Sequence, residues 1–343
     1  MIDLDGTENK TRLGANALLG CSMAIAYAAA AAKGVPLFQY LGGAQARTIP
    51  VPMIQMIGGG AHALYSNDIQ DYLVILMSAK SFEEGFAMVV NVYNATKKVF
   101  RKYGKPLGIA DEGGLWPTDF KDNEEGFRLL TEAIECAGYK PFDDIAIATD
   151  IAASEFYNKE TGTYRFNLED REFTSEEFVD LLCQWVEKYP IISIEDGCSE
   201  FDWKGNKLLT EKLGKKIQII GDDLFTTKLR RIKYGVEQGI CNAVLIKMNQ
   251  IGTITETLEA IELTKNSVYL PVISARSGEV EDATIVHLAI ATNSGQLKVG
   301  SVARTERTVK WNEVIRMEEF LGPVALWPSS HIFERIIDPA ILK

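Results

Sequence analysis

Histidine is scarce in this chain. Three occur in 343 residues, His62, His287 and His331, and they are dispersed. A zinc centre built on imidazoles is therefore not expected. The five cysteines, Cys21, Cys136, Cys183, Cys198 and Cys241, are odd in number, scattered and without a CxxC pair. That argues against a disulfide framework and for a reducing compartment, so a cytoplasmic location is expected. Positive charge is also in deficit, with 36 Lys and Arg against 47 Asp and Glu and a net charge of −11. No basic face for nucleic acid or an anionic membrane is implied. An anionic small substrate stays open, because a local cluster of Lys, Arg and metal can sit inside an acidic protein. Long hydrophobic runs are missing too. The Ala-rich stretch Ala24–Ala32 reads as too short and too weakly apolar for a membrane span. The opening MIDLDGTENKTRLG is polar, so no signal peptide is expected there.

What is present suits a large buried core: 46% of residues are hydrophobic and 24% are charged and spread out. The length allows one large barrel or two ordinary domains. A long helix is expected from Gly14 to about Lys33, stopped by Gly34-Val35-Pro36, where Gly supplies a left-handed cap and Pro forbids continuation. A strand pair follows at Thr48–Met56 and Gln70–Met77, separated by the glycine-rich loop GGGAHALYSND, and a helix is expected over Phe82–Tyr103.

From Ile145 a rhythm sets in. Short runs rich in Ile and Val alternate with helical stretches: IAIATD to Asp150, IISIED through Glu195, IQIIGDD through Asp222, NAVLIK to Lys247, YLPVIS to Ser274, and QLKVG with Lys298. Most steps are about 25 residues, the length of a strand, a helix and two loops. Continuous apolar runs separated by helices imply parallel strands buried on both faces. The expected fold is an α/β (β/α)8 barrel.

Position within each run carries the functional reading. Asp150, Glu195, Asp222, Lys247 and Arg276 all fall at C-terminal strand ends, which converge on one mouth in such a barrel. Any single Asp there reads as an ordinary turn or cap residue. Five polar ends in succession do not. Three carboxylates at one point need a cation, and an all-oxygen set suits a hard ion, Mg²⁺ first. Lys247 ends a buried strand. Burial and a nearby ion both depress an amine, which makes it a usable base for removing a proton beside a substrate carboxylate. Arg276 and Ser277 suit a phosphate, and Lys298 adds a further cation.

The segments LDGTENKTRLGANALLG, KGVPLFQYLGG, the His62 loop, Gln70-Asp71, DEGG at 111–114, ATDIAASEFY, SIEDG, GDDLFTT, IKMNQIGT, ARSGEVEDATI and GQLKVGSVARTER together resemble the enolase family, from Leu4 to about Gly322. The resemblance implies an enolase-type barrel that dehydrates 2-phosphoglycerate to phosphoenolpyruvate with Mg²⁺, a lyase of glycolysis. A lysine base beside Mg²⁺ is an arrangement already known for that superfamily. It implies Asp150, Glu195 and Asp222 as ligands of the first Mg²⁺ and Lys247 as the base at C2. Glu112 would be the acid that helps the C3 hydroxide leave, with His62 and Asp71 beside it. Gln70 and Lys298 would hold the substrate, Lys298 at its carboxylate, and Arg276 and Ser277 its phosphate. The resemblance also implies a homodimer, an implication weakened here because the missing N-terminal region contributes to the family's dimer contact. Residues 1–322 are expected to form the barrel domain, with 1–47 as its lead-in helix region and without most of the family's N-terminal α+β domain. Residues 323–343 read as a divergent tail, either a short helix covering the barrel bottom or a contact segment.

Three further departures stand out. Ala275 occupies the histidine position of the family's SHRSGE motif. Asp71 replaces a glutamate and is one methylene shorter. Leu64 and Tyr65 follow His62 where small and polar residues are usual, so Tyr65 is expected either to obstruct loop closure or to fill space. The alternative function is a catalytically impaired enolase-like protein acting as a binding partner. His287 and His331 carry no motif and read as structural or surface residues.

Overall fold

The computed structural model describes residues 1–116 and 118–342; Lys343, the last residue of the tail, lies outside them. Among the described residues, eight strands close a barrel. They are β1 (Val51–Gly58), β2 (Asp71–Leu76), β3 (Ile145–Asp150), β4 (Ile191–Glu195), β5 (Gln218–Gly221), β6 (Ala243–Ile246), β7 (Leu270–Ser274) and β8 (Gln296–Gly300). Every residue of these strands is buried. That is what a strand with side chains on one face and helices on the other requires, and it explains the unbroken Ile/Val runs. β8 pairs in parallel with β1, Met53 opposite Lys298, and closes the ring.

One strand runs against the rest. β2 is antiparallel to both β1 and β3. Parallel neighbours need a crossover of a dozen or more residues, usually a helix. Between β1 and β2 the chain makes only a 3-10 turn, Gly60–Ala63, so it returns alongside itself. The consequence for function is direct. β2 starts at the mouth where the other strands end, and Asp71 lies opposite Asp150.

The outer helices begin where the sequence offers caps. Ser81 accepts the Glu84 N–H at 3.1 Å to start Phe82–Lys102. Thr174 and Glu177 form a reciprocal capping box ahead of Ser175–Lys188. The helix Ala15–Lys33 stops at Gly34, which is left-handed at φ 67°. At 19 residues this helix is long and apolar enough, by length and composition, to cross a membrane. Reading only Ala24–Ala32 as its apolar part understated it, because alanines and leucines continue toward its start. In the fold it packs on Leu37–Gly42, Met248–Ile251 and Ile254–Asn266, and buries Leu18, Ala26 and Ala30.

The tail covers the barrel floor. Leu326 accepts the Ile49 N–H at 2.8 Å, and the Ser329 hydroxyl donates to the Met77 carbonyl at 2.9 Å, just past the far end of β2. The 3-10 segment Ser329–Arg335 then inserts Phe333, followed by Ile337, into the inner cluster formed by Met53, Ile75, Ala148 and Leu245. Phe333→Ala should lower unfolding stability by about 3–5 kcal/mol, because the floor cannot collapse onto the space left. Denaturant midpoints check this. A loss under about 1 kcal/mol, the size of an ordinary substitution, would mean that the tail drapes over a floor already closed.

Candidate active site

The acids expected at the strand ends lie together at the barrel mouth, and two ammonium groups join them. Lys298, on β8, donates to Asp150 Oδ2 at 2.8 Å and to Glu195 Oε2 at 2.7 Å, and its Nζ is 3.8 Å from Asp71 Oδ2. Lys247, directly after β6, donates to Asp222 Oδ2, whose other oxygen accepts from Gln250 at 3.1 Å. Gln70 donates to Asp150 Oδ2 at 3.1 Å. Glu195 is 1% exposed, and its Oε1 has no hydrogen-bond partner among the described residues. Burial, and then the charge of Asp150, push its carboxyl well above the usual range.

Lys247 is paired with one of the acids. Burial works to lower its pKa, but Asp222 and then Glu195 outweigh burial and hold the amine above its ordinary value. The expected depression therefore requires Asp222 to be released from the ammonium.

Opposite the acids lies a second group, His62, Asp71 and Glu112, whose ligating atoms all fall within 4.8 Å of one another. His62 Nδ1 is 3.3 Å from Asp71 Oδ1, and its Nε2 is 2.7 Å from the Ser277 hydroxyl. Burial disfavours charge on His62, but the hydrogen bond and charge of Asp71, then Glu112 and Asp150, raise it to about 9. Glu112 is buried, and burial followed by the charge of Asp71 raises its carboxyl. It stands on a turn that only glycine permits. Gly113 has φ +92°, and a side chain there would collide with the Ala303 carbonyl.

The cavity between these groups is lined by Gln70, Glu112, Asp150, Lys247, Ser277 and Lys298, with Ala275 on its wall. Arg276 is not brought into it. Its side chain is exposed and donates to Asn249 at 3.0 Å. Tyr65 does not line the cavity. It is 65% exposed on the outside of the loop, with its hydroxyl 3.3 Å from Glu155. His287 is buried beside Glu313 at 3.3 Å and His331 is exposed, in keeping with structural and surface roles.

Several residues here gave no catalytic signal in sequence. Asp196 accepts the backbone N–H groups of Asp222 and Asp223 at 2.8 and 2.9 Å, tying the β4 end to the β5 end. With Asp222 and Asp223 it forms a further compact acid group. The fully buried Arg307 donates to the carbonyls of Arg276 at 2.7 Å, Val299 at 2.9 Å and Ser277, so it braces the segment expected to hold phosphate. Gln55, buried in an otherwise apolar strand, donates to Asp71. A lone amide in VPMIQMIG was the one available sign, since a buried amide needs partners.

Comparison with known proteins agrees with this geometry. Residues 46–336 match the family described as "Enolase, C-terminal TIM barrel domain". Residues 1–41, read from sequence as the barrel's lead-in, match "Enolase, N-terminal domain". The protein named Enolase 1 from Desulfitobacterium hafniense (strain Y51) is 66% identical over 333 residues, which cover 97% of this chain and 76% of that protein. With its barrel, its ring of strand-end acids and these matches, the chain belongs to the enolase family.

Proposed function

We propose that this chain is an enolase, a Mg²⁺-dependent lyase of glycolysis that removes water from 2-phospho-D-glycerate to give phosphoenolpyruvate. The observation that carries this reading is the meeting of Lys247 with Asp150, Glu195 and Asp222 at one barrel mouth, in a chain 66% identical to a protein named Enolase 1. The donor set fits a hard divalent ion: it is all oxygen, and the buried Glu195 Oε1 is unpartnered among the described residues. Asp150, Glu195 and Asp222 would hold Mg²⁺, which when bound supplies positive charge next to the substrate carboxylate as negative charge builds there.

The chain's own residues then divide the work. Freed from Asp222, and with the Glu195 charge that also raises it offset by the ion, Lys247 would be left with burial and the charge of Lys298, both of which favour the neutral amine. It takes the proton from C2. The electron pair released forms the C2–C3 double bond as the C3–O bond breaks. Glu112, whose raised carboxyl suits an acid, gives its proton to the departing hydroxyl, which leaves as water. His62 and Asp71 fix the position of this acid, and Gln70 and Lys298 hold the substrate, Lys298 at its carboxylate. Arg276 and Ser277 bind the phosphate once the Arg276 guanidinium leaves Asn249. The five free cysteines support a reducing, cytoplasmic setting.

With purified protein, Mg²⁺ and 2-phosphoglycerate, phosphoenolpyruvate absorbance should rise. Chelation should stop the reaction, and added Mg²⁺ should restore it. Lys247→Ala should slow turnover by about 10²–10⁴-fold or more, as loss of a positioned base does, with the far-UV circular dichroism unchanged. A folded wild-type protein that produces no phosphoenolpyruvate at saturating Mg²⁺ would sink this reading and leave the binding-partner alternative.

A pH prediction follows from His62. Its folded pKa, about 9, lies above the ordinary 6.5. The stability it contributes is therefore full below 6.5 and is lost as pH rises through about 9. In Asp71→Asn the imidazole pKa should fall from about 9, because the largest upward causes are removed while Glu112 and Asp150 remain. NMR titration of the ring reads both values, and an unchanged pKa in the variant would contradict the assigned cause.

A further inference from the structure

Gln55 is the polar side chain in the buried strand β1, and it is itself fully buried. A β-bulge between Gln55 and Ile57 sits at this point of the β1–β2 pairing, and such bulges re-aim side chains. Both ends of the Gln55 amide are engaged. Its Oε1 accepts the Gly114 N–H at 2.7 Å, and its Nε2 donates to Asp71 Oδ1. The amide therefore spans from the turn that carries Glu112 to the carboxylate that faces His62. The backbone packs closely on it: a Cβ on Gly114 would lie 2.5 Å from Gln55 Oε1.

Besides the Lys298 ammonium 3.8 Å from its Oδ2, Asp71 has one further side-chain partner among the described residues. His62 Nδ1 reaches the same oxygen at 3.3 Å, and Oδ2 has no hydrogen-bond partner among the described residues. The family pattern places a glutamate here, one methylene longer. The backbones of β1 and β2 are fixed by their ladder, with Gly58 opposite Asp71, so the gap the two side chains must span is fixed as well.

We infer that Gln55 is a positioning residue matched in length to Asp71. The long amide from β1 meets the short carboxylate from β2 and holds it against His62 and the Glu112 turn. This rests on the enolase reading above and deepens it. A glutamate at position 71 would drive its extra methylene into the Gln55 amide, and an asparagine at position 55 would fall short of Asp71. Either change alone breaks the match, whereas both together conserve the summed length.

The test uses four full-length proteins: wild type, Gln55→Asn, Asp71→Glu and the double variant, each assayed with Mg²⁺ and 2-phosphoglycerate. Each single substitution should lower kcat by about tenfold to a hundredfold, the range for a lost hydrogen bond to a charged group, with KM within about threefold. The double variant should return to within about threefold of wild type. A rescue of that kind is non-additivity between touching residues, which a general loss of stability would not produce. A double variant as slow as the slower single, or slower, overturns the inference. If the wild type makes no phosphoenolpyruvate, the enolase reading fails, and crystal structures of the same four proteins decide the positioning role. The position-71 carboxylate should move by about 1 Å, enough to matter at a catalytic site, in each single variant and return in the double. A carboxylate that stays in place in Gln55→Asn overturns it.

Discussion

At one end of this barrel, Asp71, Glu112, Asp150, Glu195 and Asp222 are all buried, and the cations beside them are Lys247, Lys298 and His62. An isolated buried carboxylate is costly to ionise, and each one present raises the cost for its neighbours. The directions of the pKa shifts follow that imbalance. Glu195 and Glu112 are driven up by burial and by adjacent acids, while Lys298 is held charged against burial by Asp150 and Glu195. Such a cluster persists because the surrounding frame over-determines it. The acids project from strands locked in a closed ring, and neighbouring strand ends are tied together by Asp196 and its two backbone N–H bonds.

The frame was largely legible in the sequence because its signals are local. Runs such as IAIATD and NAVLIK announce strands buried on both faces, and the polar residue at the end of each announces the mouth. The direction of β2 was not legible. It depends on a connection that lacks a helix, and it alone explains why Gln70 and Asp71, at the start of a strand, share a site with residues at the ends of others. Gln55 and Arg307 escaped for a related reason. Their importance lies in contacts with the backbone of Gly114, Val299 and Ser277, distant in sequence, and a single buried amide or guanidinium has no repeating pattern to betray it. For Lys247 the sequence gives burial but not the Asp222 oxygen within its reach, which holds the amine above its ordinary value.

The departures from the family pattern acquire physical content once they are placed. Ala275 leaves a methyl on the cavity wall where the pattern has an imidazole. Tyr65 is exposed and does not line the cavity. Asp71, taken alone, is a carboxylate withdrawn by one methylene; beside Gln55 it is one half of a pair whose combined reach spans a fixed gap. The substitutions that looked like losses in isolation thus differ in kind, and only Ala275 removes a polar group from the cavity wall without a visible replacement.

The central claim is that the strand-end carboxylates are a ligand set for one divalent ion, with the lysines as their partners in its place. Anomalous scattering from crystals grown with Mn²⁺ as the scattering substitute for Mg²⁺ tests it most directly. The account predicts a single peak at the mouth, about 2.0–2.3 Å from oxygens of Asp150, Glu195 and Asp222, with Glu195 Oε1 or Oε2 engaged and the Lys247 ammonium withdrawn from Asp222. A peak held instead by Asp196, Asp222 and Asp223, or a mouth free of metal with both lysines still on the carboxylates, would contradict it.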